Sequence, residues 1–335
     1  MLKLKKWYLS FLENTARNFP EKVLYGFFYS LSLVYGLIVE LKNFLYQKRI
    51  LPSYRSTSKV ISLGNISWSG SGKTSLSLWL YEKLSSNFKA AILRRGYGED
   101  EGKLLKEKTQ NVFSSPDRKK LAKTLQSQFD LFILDDGFQH RRLRRDLDIV
   151  VMGAREFRGK HGLIPAYIFR EPLRSLKRAD IVVVNYAGEL DNPSLVRKRI
   201  LWVKPELKIH FSRYKFKRFK DLSGKEFKPE DLRQKPLAAF CAIGYPQGFF
   251  NMLTEVNLNL KEKIIYPDHH ELSAKEFQTI QNRLLRSNIK DLIISSKDRY
   301  HLPFNKCRLN VLIMEVDLEI ENESLFLQDV TRCIT

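Results

Sequence analysis

Cysteine is scarce: Cys241, Cys307 and Cys333 are the three in 335 residues, widely spaced and odd in number. No disulfide framework and no cysteine-based metal-ligand spacing is visible, so a reducing cytosol is the expected compartment. Acid is short as well, with 37 Asp and Glu against 58 Lys and Arg, a net charge of +21. A surface this basic favours polyanions: nucleic acid, nucleotides or an anionic membrane face. Part of the excess is concentrated, since 141–178 holds eleven Lys and Arg against four acidic residues. Internal repeats and low-complexity segments are missing too. With 43% hydrophobic residues the composition argues against wholesale disorder, and the length suits two ordinary domains.

Long apolar runs are equally rare. One stands out, VLYGFFYSLSLVYGLIV from Val23 to Val39, with Lys3, Lys5 and Lys6 before it and Glu40, Lys42, Lys48 and Arg49 after it. Its seventeen residues fall short of the roughly 20 that a bilayer span needs, and three Tyr, two Ser and two Gly dilute it. No small-residue cleavage signature follows, so a removed signal peptide is not expected. An in-plane helix, with rings at the headgroup level and basic flanks, fits best. An ordinary buried helix and a true span are the alternatives.

From Lys59 the pattern alternates. Val60 to Leu63, Ala90 to Leu93, Leu131 to Leu134, Ile149 to Met152 and Ile181 to Val184 read as short buried strands, and Thr74 to Leu84 as a helix. Such alternation predicts a parallel sheet with helices on both faces. KIHFSRYKFKRFK, from Lys208 to Lys220, interleaves aromatic and basic residues. It reads as an exposed strand or hairpin with one apolar face, with an RNA-binding ribbon as the alternative. A second α/β unit starts at Leu237 with AAFCAI, and Leu292 to Ile294 and Val311 to Met314 supply further strands.

SWSGSGKT, Ser67 to Thr74, sits where a strand meets a helix. That is the context of a phosphate-binding loop, whose backbone N–H groups cradle phosphate oxygens at a helix N-terminus. Ser67, Gly70, Ser71, Gly72, Lys73 and Thr74 are the candidate nucleotide-binding residues. Lys73 would reach the β- and γ-phosphates, and the Thr74 hydroxyl would ligate Mg²⁺. Ser67 stands where the general pattern has Gly. Further on, FILDDGFQH (132–140) is an apolar strand ending in acid, the usual partner of such a loop, because its Asp holds the Mg²⁺ shell. Asp135 and Asp136 are both candidates. Two adjacent carboxylates repel unless a cation lies nearby, which supports a metal site, and His140 follows closely.

These segments, GNISWSGSGKT, ILRRGYG, DDGFQHRRLRRD, LIPAYIFREPL, AFCAIGYPQGFF and YPDHH, occur in an order that resembles the tetraacyldisaccharide 4′-kinase family. The resemblance runs from about Val60 to Lys297. It implies ATP-dependent phosphorylation of the lipid A disaccharide precursor, by two α/β domains joined by a short β linker, with ATP and lipid meeting in the cleft. It also implies a base made of an Asp and the first His of a PDHH-like motif. That His is His269, with His270 beside it as an alternative, and Asp100 in EDEGKLL is the candidate Asp. A carboxylate–imidazole pair suits the task, since it can take the proton of a sugar hydroxyl as it attacks. Arg170 and Glu171 in FREP match the family's substrate-facing pair, and His140 joins them as a candidate substrate contact. Lys297 and Asp298 match a segment that either lines the nucleotide side or forms a solvated turn.

The expected architecture is therefore a phosphate-loop NTPase-like parallel-sheet domain, a smaller α/β domain and an N-terminal membrane-associated helix. The expected boundaries are 1–50, 51–205, a β linker over 206–235, and 236–335. ATP and Mg²⁺ are the expected cofactors. A glycolipid and the cytoplasmic face of a Gram-negative inner membrane are the expected partners, with no nucleic acid and no obligate protein partner. A nucleic-acid-stimulated ATPase and a family member without turnover are the other function classes.

Overall fold

The computed structural model describes residues 8, 11, 18–68, 70–96, 99–158, 161–304 and 307–335, with backbone alone for 99 and 100. The chain divides into two units, one drawn from 1–96, 111–213 and 320–335, the other from 97–110 and 214–319. The division is interleaved: a short early segment belongs to the second unit, and the C-terminal helix belongs to the first.

In the first unit a parallel sheet is built from β1 (Lys59–Gly64), β2 (Ala90–Arg94), β3 (Val112–Ser114), β4 (Leu131–Asp135), β5 (Leu147–Gly153), β6 (Ile181–Asn185) and the start of β7 (Lys208–Asp221). Their order is β7-β6-β5-β1-β4-β2-β3. β2, β4, β5 and β6 are buried along their whole length, which is why their text is continuous Ile, Val and Leu rather than alternating. β1 lies between β4 and β5, so the chain leaves its C-terminal end at a switch point of the topology, where open α/β sheets bind ligands. There α2 (Lys73–Leu84) begins, and it packs on β1, β2 and β4. α4 (Arg118–Leu125) covers β2, and α5 (Pro193–Val203) buries Val196 and Ile200 beneath β6 and β7. The last helix, α8 (Glu323–Ile334), buries Phe326, Val330 and Ile334 against β1 and β5.

The apolar N-terminal run is the centre of a longer helix, α1 (Phe19–Gln47), capped by Asn18 and Glu21, each accepting from the other's backbone N–H at 3.0 and 3.1 Å. The buried-helix alternative does not hold. Val23, Phe27, Leu31, Val34, Leu37, Ile38 and Leu41 are all exposed, along a single outward face. The opposite face docks. Ser32 Oγ donates to Leu163 O (2.8 Å) and accepts from Ala166 N (3.0 Å), and Tyr35 donates its hydroxyl to Arg170 O (2.9 Å). Gly36 lets the helix approach, since a Cβ there would meet Leu163 Cδ1 at 2.9 Å.

The second unit has its own parallel sheet, in the order β10-β9-β11-β12, from β9 (Leu237–Cys241), β10 (Leu260–Ile265), β11 (Asp291–Ser295) and β12 (Asn310–Ile320). α6 (Pro246–Glu255) fills one face with Phe249, Phe250 and Leu253; α7 (Ala274–Arg286) fills the other with Phe277, Ile280 and Leu284. The early segment forms α3 (Glu99–Lys108). The later part of β7 pairs with β8 (Glu226–Phe227) as a hairpin, as the basic-aromatic text suggested. Its cations face carboxylates: Lys217 meets Asp317 at 2.8 Å, and Arg218 meets both Glu315 and Glu226 at 2.7 Å. Cations answered within the protein in this way have less to offer RNA phosphates.

β1 can enter the phosphate loop only because Gly64 admits the chain that follows β4. A Cβ at Gly64 would lie 2.6 Å from Phe138 N and 2.5 Å from Phe138 Cβ. Gly64→Ala is therefore expected to destabilise the first unit by about 1–3 kcal/mol. The measurement is the denaturant midpoint, and a midpoint equal to the parent's would refute the steric argument.

Candidate functional site

The donor half of the site lies in the first unit. After β1, Asn65, Ile66 and Ser67 are fully buried, and Ser67 bridges Phe169 of the following segment. Gly72 then takes a left-handed conformation (φ 85°, ψ 21°) as the residue before α2, which a side chain would oppose. The first turn of α2 carries no acid, so its N–H groups and the positive end of its dipole are uncontested by carboxylates of its own helix. Two asparagines shape the loop from behind. Asn65 Nδ2 donates to Ser71 Oγ (3.3 Å), and Asn185 at the end of β6 donates to Ser71 O (3.1 Å). Thr74 is buried at the start of α2, Gly70 is half-buried, and Trp68 stands exposed on the loop.

β4 delivers the acidic pair. Asp135 is buried and accepts the Ser77 hydroxyl from α2 at 3.2 Å. Asp136 turns into the left-handed region (φ 51°), and its carboxylate meets Arg170 Nη2 at 3.1 Å and Lys73 Nζ at 3.9 Å. Burial alone would raise the Asp136 carboxyl. The charge and hydrogen bond of Arg170, with Lys73 and Arg118, outweigh that and hold it below the usual range. Thr74, Asp135 and Asp136 thus present one hydroxyl and two carboxyl groups beside a phosphate cradle. That oxygen set suits Mg²⁺, which takes few protein ligands and completes its shell with phosphate and water.

Arg170 is the hinge of this arrangement. Besides Asp136 it donates from Nε to Ser67 O (3.1 Å) and from Nη2 to Asn65 Oδ1. Glu171, expected to touch substrate, is instead withdrawn into the protein at 3% exposure. Its Oε1 accepts from Gln139 (3.1 Å) and Arg178 (3.2 Å), and its Oε2 from Arg178 (2.9 Å) and Asn43 of α1 (3.0 Å). Burial would raise this carboxyl too, but the Arg178 charge and the donors Arg178, Asn43 and Ser175 outweigh it and keep it ionised. His140, on the same turn as Gln139, has a buried Nε2 with no hydrogen-bond partner.

The proposed base lies in the second unit. His269 is left-handed (φ 60°), a conformation costing about 1–3 kcal/mol for a non-glycine residue, and its N–H is held by Ala242 O at 3.0 Å. Its side chain is 30% exposed, with Nε2 3.6 Å from Asp268. His270 is different: it stacks on Tyr266 (4.8 Å, 15°) and is 11% exposed, so of the two histidines His269 faces outward. Asp100 falls on the first turn of α3, with its side chain outside the described residues; Ser69 is outside them altogether. Next to Asp100, Glu101 pairs with Lys297 at 2.6 Å. Asp298, expected at the cleft or in a solvated turn, is fully buried.

Two contributors were not singled out from sequence. Arg118 is buried, and its Nη1 donates to the carbonyls of both Asp135 (2.8 Å) and Asp136 (2.9 Å), fixing the acidic turn. Asn185 holds the phosphate loop. A lone Arg after a Ser-Pro turn and a lone Asn ending an apolar strand are the only marks they leave in the sequence.

A parallel sheet whose central strand feeds such a loop, with an acidic turn from the next strand facing its lysine, defines a phosphate-loop kinase. Comparison with known proteins narrows the class. The family model for tetraacyldisaccharide-1-P 4′-kinase matches residues 24–101 and 98–334. A tetraacyldisaccharide 4′-kinase of Histophilus somni is 30% identical over 93% of this chain and 96% of its own length. That of Chlamydia pneumoniae is 31% identical over 75% and 74%. A crystal structure of LpxK from Aquifex aeolicus in complex with ATP superposes with a TM-score of 0.68 at 25% identity, over 91% of this chain and 98% of that one. The chain belongs to the tetraacyldisaccharide 4′-kinase family, and it is a kinase.

His140 gives the donor half a pH signature. Burial, with the charges of Arg118 and Arg145, pushes its imidazole down from 6.5 to about 4. Between those values the unfolded chain binds a proton that the folded one refuses, so this contribution is complete above pH 6.5 and is lost as pH falls toward 4. NMR titration should place the His140 midpoint below 5, and His140→Gln should flatten the acid limb of stability against pH. A midpoint at 6.5 or above would contradict the burial argument.

Proposed function

We propose that this kinase transfers the γ-phosphoryl group of ATP to the 4′-hydroxyl of a tetraacyldisaccharide 1-phosphate, the precursor of lipid A. The observation that carries the reading is the convergence of Lys73 and Arg170 on Asp136 at the N-terminus of α2. In it a phosphate cradle, two cations and a metal-ready acid share one place. Lys73 and the α2 N–H groups would neutralise the β- and γ-phosphates as charge redistributes in transfer. Thr74 with Asp135 and Asp136 would hold Mg²⁺, which when bound screens the β- and γ-oxygens. The 4′-oxygen attacks the γ-phosphorus, the bond to the β–γ bridging oxygen breaks, and ADP leaves. The hydroxyl proton passes to the His269 imidazole, supported by the Asp100 carboxylate. Arg170, whose fork suits phosphate, and His140, neutral at physiological pH, are the proposed contacts to the lipid's anionic head. Glu171 serves by holding Gln139 and the Arg170 segment in place.

The site of action in this reading is the cytoplasmic face of the inner membrane, with α1 lying in the plane of the interface. Each outward Leu, Ile or Phe gains about 1.5–3 kcal/mol on leaving water, so a face of this length is poorly suited to permanent exposure. The docked face carries Ser32, Tyr35 and Asn43, each bonded to the rest of the unit, which supports a helix lying on the bilayer rather than crossing it.

The test is phosphoryl transfer from ATP with Mg²⁺ and the disaccharide-1-phosphate lipid in mixed micelles. His269→Ala and Asp100→Ala should each lower turnover by about 10²-fold or more, and Lys73→Ala should abolish it. No transfer by the parent, or Lys73→Ala equal to it, would sink the kinase assignment; full activity in Asp100→Ala would move the base elsewhere.

For the membrane, Leu37→Glu with Leu41→Glu should weaken sedimentation with anionic vesicles by about tenfold or more. Unchanged sedimentation would place the anchor on another surface.

A further inference from the structure

The His269 loop rests on a buried acid–imidazole pair to which the reaction as described gives no part. Asp298 follows β11 and has no exposed surface. Its Oδ1 accepts from Ala242 N at 2.8 Å and lies 3.3 Å from His301 Nδ1, while its Oδ2 accepts the Ser295 hydroxyl at 2.5 Å. A carboxylate removed from water needs donors on both oxygens, and this one has them. The same contacts reach His269 by two routes. Ala242, fixed through its N–H, offers its carbonyl to the His269 N–H at 3.0 Å. His301, fixed through Nδ1, accepts from Leu272 N at its backbone carbonyl (2.8 Å) at the far end of the loop, and its ring meets the His269 ring edge-on at 6.4 Å. One buried carboxylate thus governs both the anchor of the His269 backbone and the ring that bounds its imidazole.

We propose that Asp298 and His301 are positioning residues for His269, holding its backbone in the left-handed conformation and its imidazole in the orientation that accepts the acceptor's proton. The assignment rests on His269 being the base. Neither residue touches substrate: both are buried, and both act through the loop. The pair also selects a tautomer. With the Asp298 carboxylate facing Nδ1, His301 keeps its proton on that nitrogen, which fixes the ring as a rigid wall instead of a rotor.

A pair that merely stabilises the second unit would act whether or not His269 is present; a pair that positions His269 would not. The experiment is a double-mutant cycle on the full chain, with turnover measured in mixed micelles and ATP affinity measured separately. His301→Gln and Asp298→Asn should each lower kcat by roughly tenfold or more, as small misplacements of a reacting group do, with the Kd for ATP within about twofold of the parent. In a His269→Ala background the same substitutions should cost nothing further. Equal losses in both backgrounds, or kcat unchanged in the parental background, would overturn the positioning role. His269→Ala with parental turnover would instead sink the base reading itself, a different result read from a different corner of the cycle. Should Asp298→Asn fail to fold, as circular dichroism would show, His301→Gln carries the cycle alone.

Discussion

The donor half of this enzyme depends on a carboxylate withdrawn into the protein. Glu171 receives donors from α1, from the turn after β4 and from Arg178, and it directly follows the arginine that faces Asp136. Each of these elements has little reason to sit where it does without the others. Removing one donor would leave part of a buried charge unanswered, and such losses cost more than the same bonds gain when complete. The acid therefore acts as a common fastening. It ties α1, the turn after β4 and the Arg170 segment to one another beside the phosphate loop.

Positive charge around that loop is arranged rather than merely abundant. Arg118 reaches the acidic turn through its carbonyls, while Lys73 and Arg170 reach the Asp136 side chain, so the turn is held from both backbone and carboxylate. Three cations thus crowd about one turn, and burial pushes Arg118 below its usual range even with Asp135 and Asp136 nearby. An ATP triphosphate relieves that crowding, and relief of this kind favours a ligand whose charge grows on the oxygens the cations face. By contrast, Lys217, Arg218 and Lys220 of the β7–β8 hairpin already have carboxylate partners, so the net charge of the chain overstates the positive potential free there.

Much of this was legible in the sequence, and the failures have physical causes. Strands such as IVVV and FILD were readable because both faces of a parallel sheet are covered, which leaves uninterrupted apolar text. β10 was not, because LKEKII is an edge strand with Lys261 and Lys263 exposed on alternate positions. Only seventeen residues of α1 stood out, whereas the helix runs for 29, since its flanks carry charged and polar residues such as Glu21, Lys22, Glu40, Lys42 and Asn43. The burial of Glu171 was not legible beside Arg170, because adjacency in a motif says nothing about direction. Arg118 and Asn185 are single polar residues whose meaning appears only when distant strand ends gather at one edge. The interleaving of 97–110 and 320–335 between the units likewise cannot be drawn as a boundary on a line.

The placement of α1 also constrains how such a kinase works. A helix that only tethered the protein could be joined by any flexible linker, and its docking face could be apolar. Here Tyr35 bonds the carbonyl of Arg170 and Asn43 bonds the carboxylate next to it, two contacts spaced along one helical face. The exposed apolar face of α1 and the segment beside the phosphate loop are therefore joined through the same few residues. Under the proposed placement of α1 on a bilayer, an acceptor confined there would be met at a fixed height and orientation, and the bonded link between helix and site would turn that confinement into alignment. Part of the entropy of bringing donor and acceptor together is then removed before the lipid is bound.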